Sequence, residues 1–191
     1  MFASSRPSIW PMDLDFLAVC ASVQSTMIKT GKVTDRRAIR FGRMEDILRD
    51  VHGLNRRVED GATLRGAGNW TPAQVVDHVA KSIGFSIDGF PADATPPLPL
   101  RFIGRMLRTS VLLKPTKAGI TLKGKVAAAL APEPNVTWGQ AVTRMTNVMS
   151  RIQKGERMTA SSPMFGRYSH EEWNQFHCRH AELHLSFVQP K

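Results

Sequence analysis

An all-α fold is what this 191-residue sequence predicts, and three observations carry the prediction. A helix-start pattern, Ser or Thr followed three residues later by Gln or Glu, occurs at Thr71, Thr137 and Ser169. Apolar residues recur at spacings of three and four after each of these starts and in one segment before them. No stretch shows the convincing period-two alternation of a half-buried strand. Long helices of comparable length, about four of them, joined by connections describe a helix bundle.

In the first candidate helix, Met44, Ile47, Leu48, Val51 and Leu54 form the apolar stripe. In the second, Thr71 caps, and Pro72 suits the first helical position, where a missing N–H costs nothing. Gln74 reaches back to close a capping box, with Trp70 and Val75 as a hydrophobic staple. Val75, Val79, Ile83 and Ile87 make its stripe, and Gly89 ends it. Residues 91–99 are proline-rich and predict an extended connection. It leads to a short extra helix after helix 2, with Leu100, Ile103, Leu107 and Val111 on one face and Arg101, Arg105 and Arg108 on the other. Such a helix suits a cover over the core; a membrane-surface element is the alternative. Thr137 and Gln140 open the third helix, whose stripe is Ala141, Met145, Val148 and Ile152, ending near Gly155. Ser169 and Glu172 open the last, with Trp173, Phe176, His180, His184 and Phe187 along it.

A hydrophobic fraction of 42% and a charged fraction of 22% suit one globular domain, placed at residues 35–191. Residues 1–34 are expected to form a flexible extension, or an over-long start with Met27 as the true one. Two cysteines, Cys20 and Cys178, provide neither a disulfide framework nor a thiolate metal site, and the expected compartment is the cytoplasm. No apolar run approaches the roughly 20 residues needed to span a bilayer. The short apolar run at residues 16–21 follows Asp13 and Asp15, where an export signal carries positive charge.

The net charge is +10, concentrated in residues 36–57 and in residues 101–125, the latter without any acidic residue. Such a surface attracts anions: nucleic acid, anionic lipid, or a small molecule bearing a carboxylate. Few aromatics interleave these segments for base stacking, which disfavours nucleic acid.

Three of the six histidines crowd into residues 177–184. On a helix, His180 and His184 lie roughly 40° apart on one face, one turn from each other, the spacing at which two imidazoles share a metal ion. Buried imidazoles need partners, and an ion satisfies several at once; a set of hydrogen-bonded core histidines is the alternative. A third ligand from another element is then required. His78, between Val75 and Val79 on the core side of the second helix, is the natural one. His177 is its rival, although three ligands from consecutive turns of one helix converge poorly. His52 and His170 are read as ordinary, partly exposed residues. The His170-Glu171-Glu172-Trp173-Asn174 run lacks the second histidine of a zinc-protease helix, and Glu182 points about 200° away from His180. No phosphate loop, nucleophile elbow, deaminase cysteine pair, helix-turn-helix or zinc finger is present.

The run Asn69-Trp70-Thr71-Pro72-Ala73-Gln74-Val75-Val76-Asp77-His78-Val79-Ala80 resembles the second-helix signature of the DinB-like superfamily, and His180-Ala181-Glu182-Leu183-His184 resembles its last-helix histidine pair. Residues 86–91, 163–166 and 172–177 are similar to an uncharacterised branch of that superfamily, so the likeness spans about residues 36–189. The resemblance implies an up-down-down-up four-helix bundle and frequent homodimers. It also implies a divalent ion (nickel, zinc, manganese or iron) on His78, His180 and His184. Relatives of that kind include thiol S-transferases and a thiol-dependent isomerase. The expectation is therefore a metal-dependent thiol transferase or hydrolase acting on a small molecule with a low-molecular-weight thiol. In it, Arg101, Arg105 or Arg108 would receive a substrate carboxylate. The alternative is a non-catalytic module that binds nucleic acid or a protein partner through its basic face, with a structural metal or none.

Overall fold

The computed structural model describes residues 27–120 and 122–191. Most of the extension expected over residues 1–34, including Cys20 and the apolar run at 16–21, lies outside the described residues. The chain is mostly helical: α1 spans Met44–Glu59, α2 Pro72–Asp88, α3 Leu98–Leu113, α4 Gly124–Leu130, α5 Trp138–Gln153 and α6 His170–Leu185. Two small antiparallel ladders accompany them. β1 (Leu64–Gly66) pairs with β4 (Val188–Pro190), and β2 (Ser161–Ser162) pairs with β3 (Gly166–Arg167). At two or three residues each, these strands are too short to leave an alternating pattern in the sequence.

The capping boxes form as their residues dictate. Thr71 Oγ1 accepts from the Gln74 N–H at 3.2 Å while Gln74 Oε1 accepts from the Thr71 N–H at 3.0 Å. Thr137 with Gln140 and Ser169 with Glu172 repeat the exchange, each satisfying donors that a helix start leaves free. Gly89 ends α2 at a φ of 97°, a left-handed value that a side chain resists.

The predicted stripes of α1, α2 and α5 meet in the interior, whereas α6 joins them through Cys178, Ala181 and Leu185 and not through the residues expected of it. Ile47 and Val51 of α1, Val76, Val79 and Ile83 of α2, Met145 and Met149 of α5 and Ala181 and Leu185 of α6 share one core. Within it, α2 packs against α5 and α6, and α1 packs against the same two helices. A second, smaller cluster gathers Leu112, Met158, Tyr168 and Trp173. It stands where α3 rests on α6.

The connection after α2 departs from expectation in two respects. It holds two helices, and α3, at 16 residues, equals α1, α5 and α6 in length. Moreover, α3 is turned the opposite way from the expected cover. Leu100, Ile103 and Leu107 face outward, whereas Arg101 and Arg108 are half-buried toward the protein. The reason lies in two inward contacts. Gly104 is buried against the Met164 backbone so closely that a Cβ there would stand 2.5 Å from the Met164 carbonyl oxygen. One turn on, Arg108 Nη2 donates to both Glu172 carboxylate oxygens at 2.6 Å and its guanidinium lies over the Tyr168 ring. A glycine contact and a charge-assisted pair thus fix the side that apolar residues were expected to occupy.

Gly104→Ala should therefore lower the urea midpoint, with a loss of about 1–3 kcal/mol typical of overpacking. An unchanged midpoint would show that α3 does not rest on Met164.

Candidate metal centre

Residue 78 reaches the interior because α2 buries the face that carries Val75, Val76 and Val79, and His78 is buried with them. His180 and His184 stand one turn apart on α6, beside the stripe of Cys178, Ala181 and Leu185 that enters the core. Packing α2 against α6 brings the three rings together, with centroids 5.0 Å (His78–His180), 4.4 Å (His78–His184) and 4.5 Å (His180–His184) apart. One nitrogen from each lies within 4.8 Å of the other two, so the three imidazoles can hold a metal ion.

The proton positions favour such a role. His78 Nδ1 sits 2.6 Å from the Leu130 carbonyl oxygen, which can only accept, so this nitrogen carries the proton. Its Nε2 lone pair then faces the Nε2 of His180 at 3.2 Å. Two nitrogens on one tetrahedral ion at a bond length near 2.05 Å stand about 3.3 Å apart, so little movement is needed. A histidine whose far nitrogen donates to a backbone carbonyl is the usual support for a metal ligand. His180 Nδ1, by contrast, is buried with no partner among the described residues.

All three imidazoles are held neutral. Burial pushes the His78 pKa down, and nearby Lys81 adds to this against the opposing Leu130 hydrogen bond. His180 and His184 are pushed well below the ordinary value, again chiefly by burial. For His180 the neighbouring histidines add to it, and for His184 so do His78 and Arg36. Neutral imidazole is the form that coordinates a cation. Aromatic walls fix the rings: Trp70 lies 4.7 Å from His78 and stacks on His184 at 5.5 Å, while Phe176 stacks on His180 at 5.6 Å.

Residues flanking His78 build the opposite wall. Asp77, fully buried, accepts from the Glu133 N–H at 2.9 Å and pairs with Arg144. Lys81 Nζ donates to the Ala131 carbonyl at 2.7 Å. With the His78–Leu130 bond, these contacts pin the end of α4 and the following loop to α2. Between them opens a cavity of about 380 Å³, lined by the three histidines, Trp70, Asn69, Thr30 and mostly apolar groups such as Leu130 and Leu183. No charged side chain belongs to its described lining. Asn69 holds the N-terminal edge, accepting from the Ile28 N–H at 2.7 Å and donating to its carbonyl at 3.0 Å.

The other candidates stand elsewhere. His177 is fully buried but outside the cluster, stacked on Trp173 with Nε2 3.1 Å from Ser86 Oγ. His52 bonds to Thr146, and His170 Nδ1 accepts from the Met158 N–H. Glu182 turns away, as its helical phase requires, to accept from the Phe41 N–H and pair with Arg179 and Arg40. None of the three candidate arginines lines the histidine cavity. Arg108 is paired with Glu172, and Arg101 and Arg105 border a separate cavity with Ser161 and Ser162, so any carboxylate they receive lies away from the imidazoles. Cys178 is buried, and burial pushes its thiol up to about 12, which makes it a poor nucleophile. Sequence reasoning missed Leu130, whose contribution is a backbone carbonyl without a side-chain signal. It also missed Asp77, although an acid between valines and a core histidine is a sign of a buried pair.

A sequence model of the family described as "Protein of unknown function (DUF1569)" matches residues 33–191, and the chain belongs to that family. No curated protein and no solved structure matches it.

Acid should destabilise the metal-free protein. The folded state keeps these histidines neutral while the unfolded chain binds protons near pH 6.5, so stability falls as pH drops through that value. For His177, whose pKa burial pushes down to about 3, the loss continues until about pH 3. Urea titrations across this range should lose about 1.4 kcal/mol per pH unit for each neutral histidine. A flat profile between pH 7 and 5 would contradict the burial of neutral imidazoles.

Proposed function

We propose that this DUF1569 chain is a divalent-metal-dependent enzyme of DinB-like, up-down-down-up four-helix architecture. On this reading a small molecule and a low-molecular-weight thiol meet at His78, His180 and His184, and the reaction is thiol transfer in the cytoplasm. The observation that carries the proposal is the convergence of three neutral imidazoles, from two helices 102 positions apart, at the wall of a cavity large enough for a small molecule. A divalent ion of nickel, zinc, manganese or iron supplies positive charge and open coordination positions there, the chemistry that stabilises a thiolate at neutral pH.

The chain's own residues have defined parts. His78, His180 and His184 are ligands rather than acids or bases. The Leu130 carbonyl orients His78 through Nδ1. Trp70 and Phe176 restrict the rings and keep water from their faces. The uncharged lining favours a substrate that enters by an apolar part. Among the described residues the one cysteine, Cys178, is sealed in the core with its thiol pushed up, so on this reading the thiol is a second small molecule. The order of capping boxes and histidines along the chain supports the DinB-like reading.

Elemental analysis of the native protein should find about one first-row ion per chain, and His180→Ala should lose it. Equal metal content in both proteins would end the proposal. In the loaded protein, substituted with cobalt or nickel, a low-molecular-weight thiol should produce a charge-transfer band that a chelator abolishes. Metal without any thiol response would leave a metal-binding protein but remove thiol transfer.

A further inference from the structure

The outward face of α3 is unlike the rest of the described surface. Leu98, Phe102 and Met106 are 74%, 67% and 72% exposed, and Leu100, Ile103, Leu107 and Leu113 are exposed beside them. At 100° per residue these seven side chains cover an arc of about 200° that contains no charge. Arg101, Arg105 and Arg108 occupy the remaining arc, the side fixed by Gly104 and Glu172. Beyond the helix, Ile120 is also exposed, and it borders the histidine cavity. So large a contiguous apolar face marks an interaction surface.

Charge identifies what it meets. Four of the seven arginines of the first basic segment pair with carboxylates within the protein: Arg37 with Asp50, Arg40 with Glu182, and Arg43 and Arg49 with Asp46. In the second, fewer are paired. Residues 98–130 contain no acid, and Arg105, Lys114, Lys117 and Lys123 are exposed with no carboxylate partner among the described residues. A second copy of the chain, itself at +10, would set these cations against their like. An anionic bilayer answers both features, taking the apolar arc below its headgroups and the lysines at their level. At 16 residues α3 is about 24 Å long, suited to lying in the interface, and no described helix is long and apolar enough to cross a membrane.

We infer that α3 is a membrane-surface docking element that seats its Leu98–Phe102–Met106 face in an anionic lipid bilayer, with Lys114, Lys117 and Lys123 on the headgroups. The inference is independent of what the histidines hold.

The test is co-sedimentation of the full chain with vesicles of phosphatidylcholine alone, or with one lipid in three replaced by phosphatidylglycerol. The full chain should bind the mixed vesicles, far less the neutral ones, and more weakly as salt is raised. Phe102→Glu combined with Met106→Glu should lower partitioning at least tenfold while leaving the thermal midpoint unchanged, because both side chains are already in solvent. Lys114→Gln and Lys117→Gln should each lower it about fivefold. Absence of binding by the full chain overturns the inference, as it would if the chain's own N-terminal residues covered the face. Binding that survives the double substitution overturns it too. So does a wild-type dimer that the double substitution makes monomeric, which would assign the face to a second copy.

Discussion

Three uncharged imidazoles between two helices, His78 buried and His180 and His184 half-buried, impose the main constraint on this molecule. Each carries a polar edge that water would otherwise solvate, and the interior supplies few replacements: one backbone carbonyl for His78 and none for His180 Nδ1. Keeping such a cluster requires that its surroundings be stable without it. The valines of α2, the methionines of α5 and the small residues of α6 provide that margin through apolar burial. The wall opposite the histidines depends on the same helix, because Asp77, His78 and Lys81 each hold a piece of the chain around residues 130–133. One stretch of α2 therefore orients a ring and closes a cavity at once.

Legibility in the sequence followed the range of the interactions involved. Capping boxes are complete within four residues, so Thr71, Thr137 and Ser169 announced their helices unaided. The pairing of His180 with His184 is likewise local, set by the helical repeat alone. His78 was reachable only by combining its place on an apolar stripe with the need for a third ligand. What escaped depended on distant backbone. The rotation of α3 is decided by Gly104 meeting Met164 and Arg108 meeting Glu172, contacts about sixty residues apart that helical periodicity does not encode. Period alone found the two faces of α3 but could not say which of them rests on the protein.

The two basic segments carry a related lesson about composition. By count of cations they look alike, yet four of the seven in the first are tied to carboxylates of α1 and α6, whereas in the second Arg108 and Lys125 alone have a carboxylate partner among the described residues. Net charge reports neither arrangement. Only the positions of the acids separate a cation that fastens the protein to itself from one left available to something else.

The distance along the chain between His78 and its two partners also has a temporal meaning. A ribosome adding about 5–20 residues per second takes on the order of 5–20 s to pass from position 78 to position 180, 102 residues later. For the first part of that interval the valine face of α2 has neither α5 nor α6 to cover it, and after α5 (Trp138–Gln153) is made it still lacks α6. Nascent chains must keep this segment from aggregating before any ion can be loaded. The metal binding proposed for these histidines would accordingly be a late event in biosynthesis, after α6 is made.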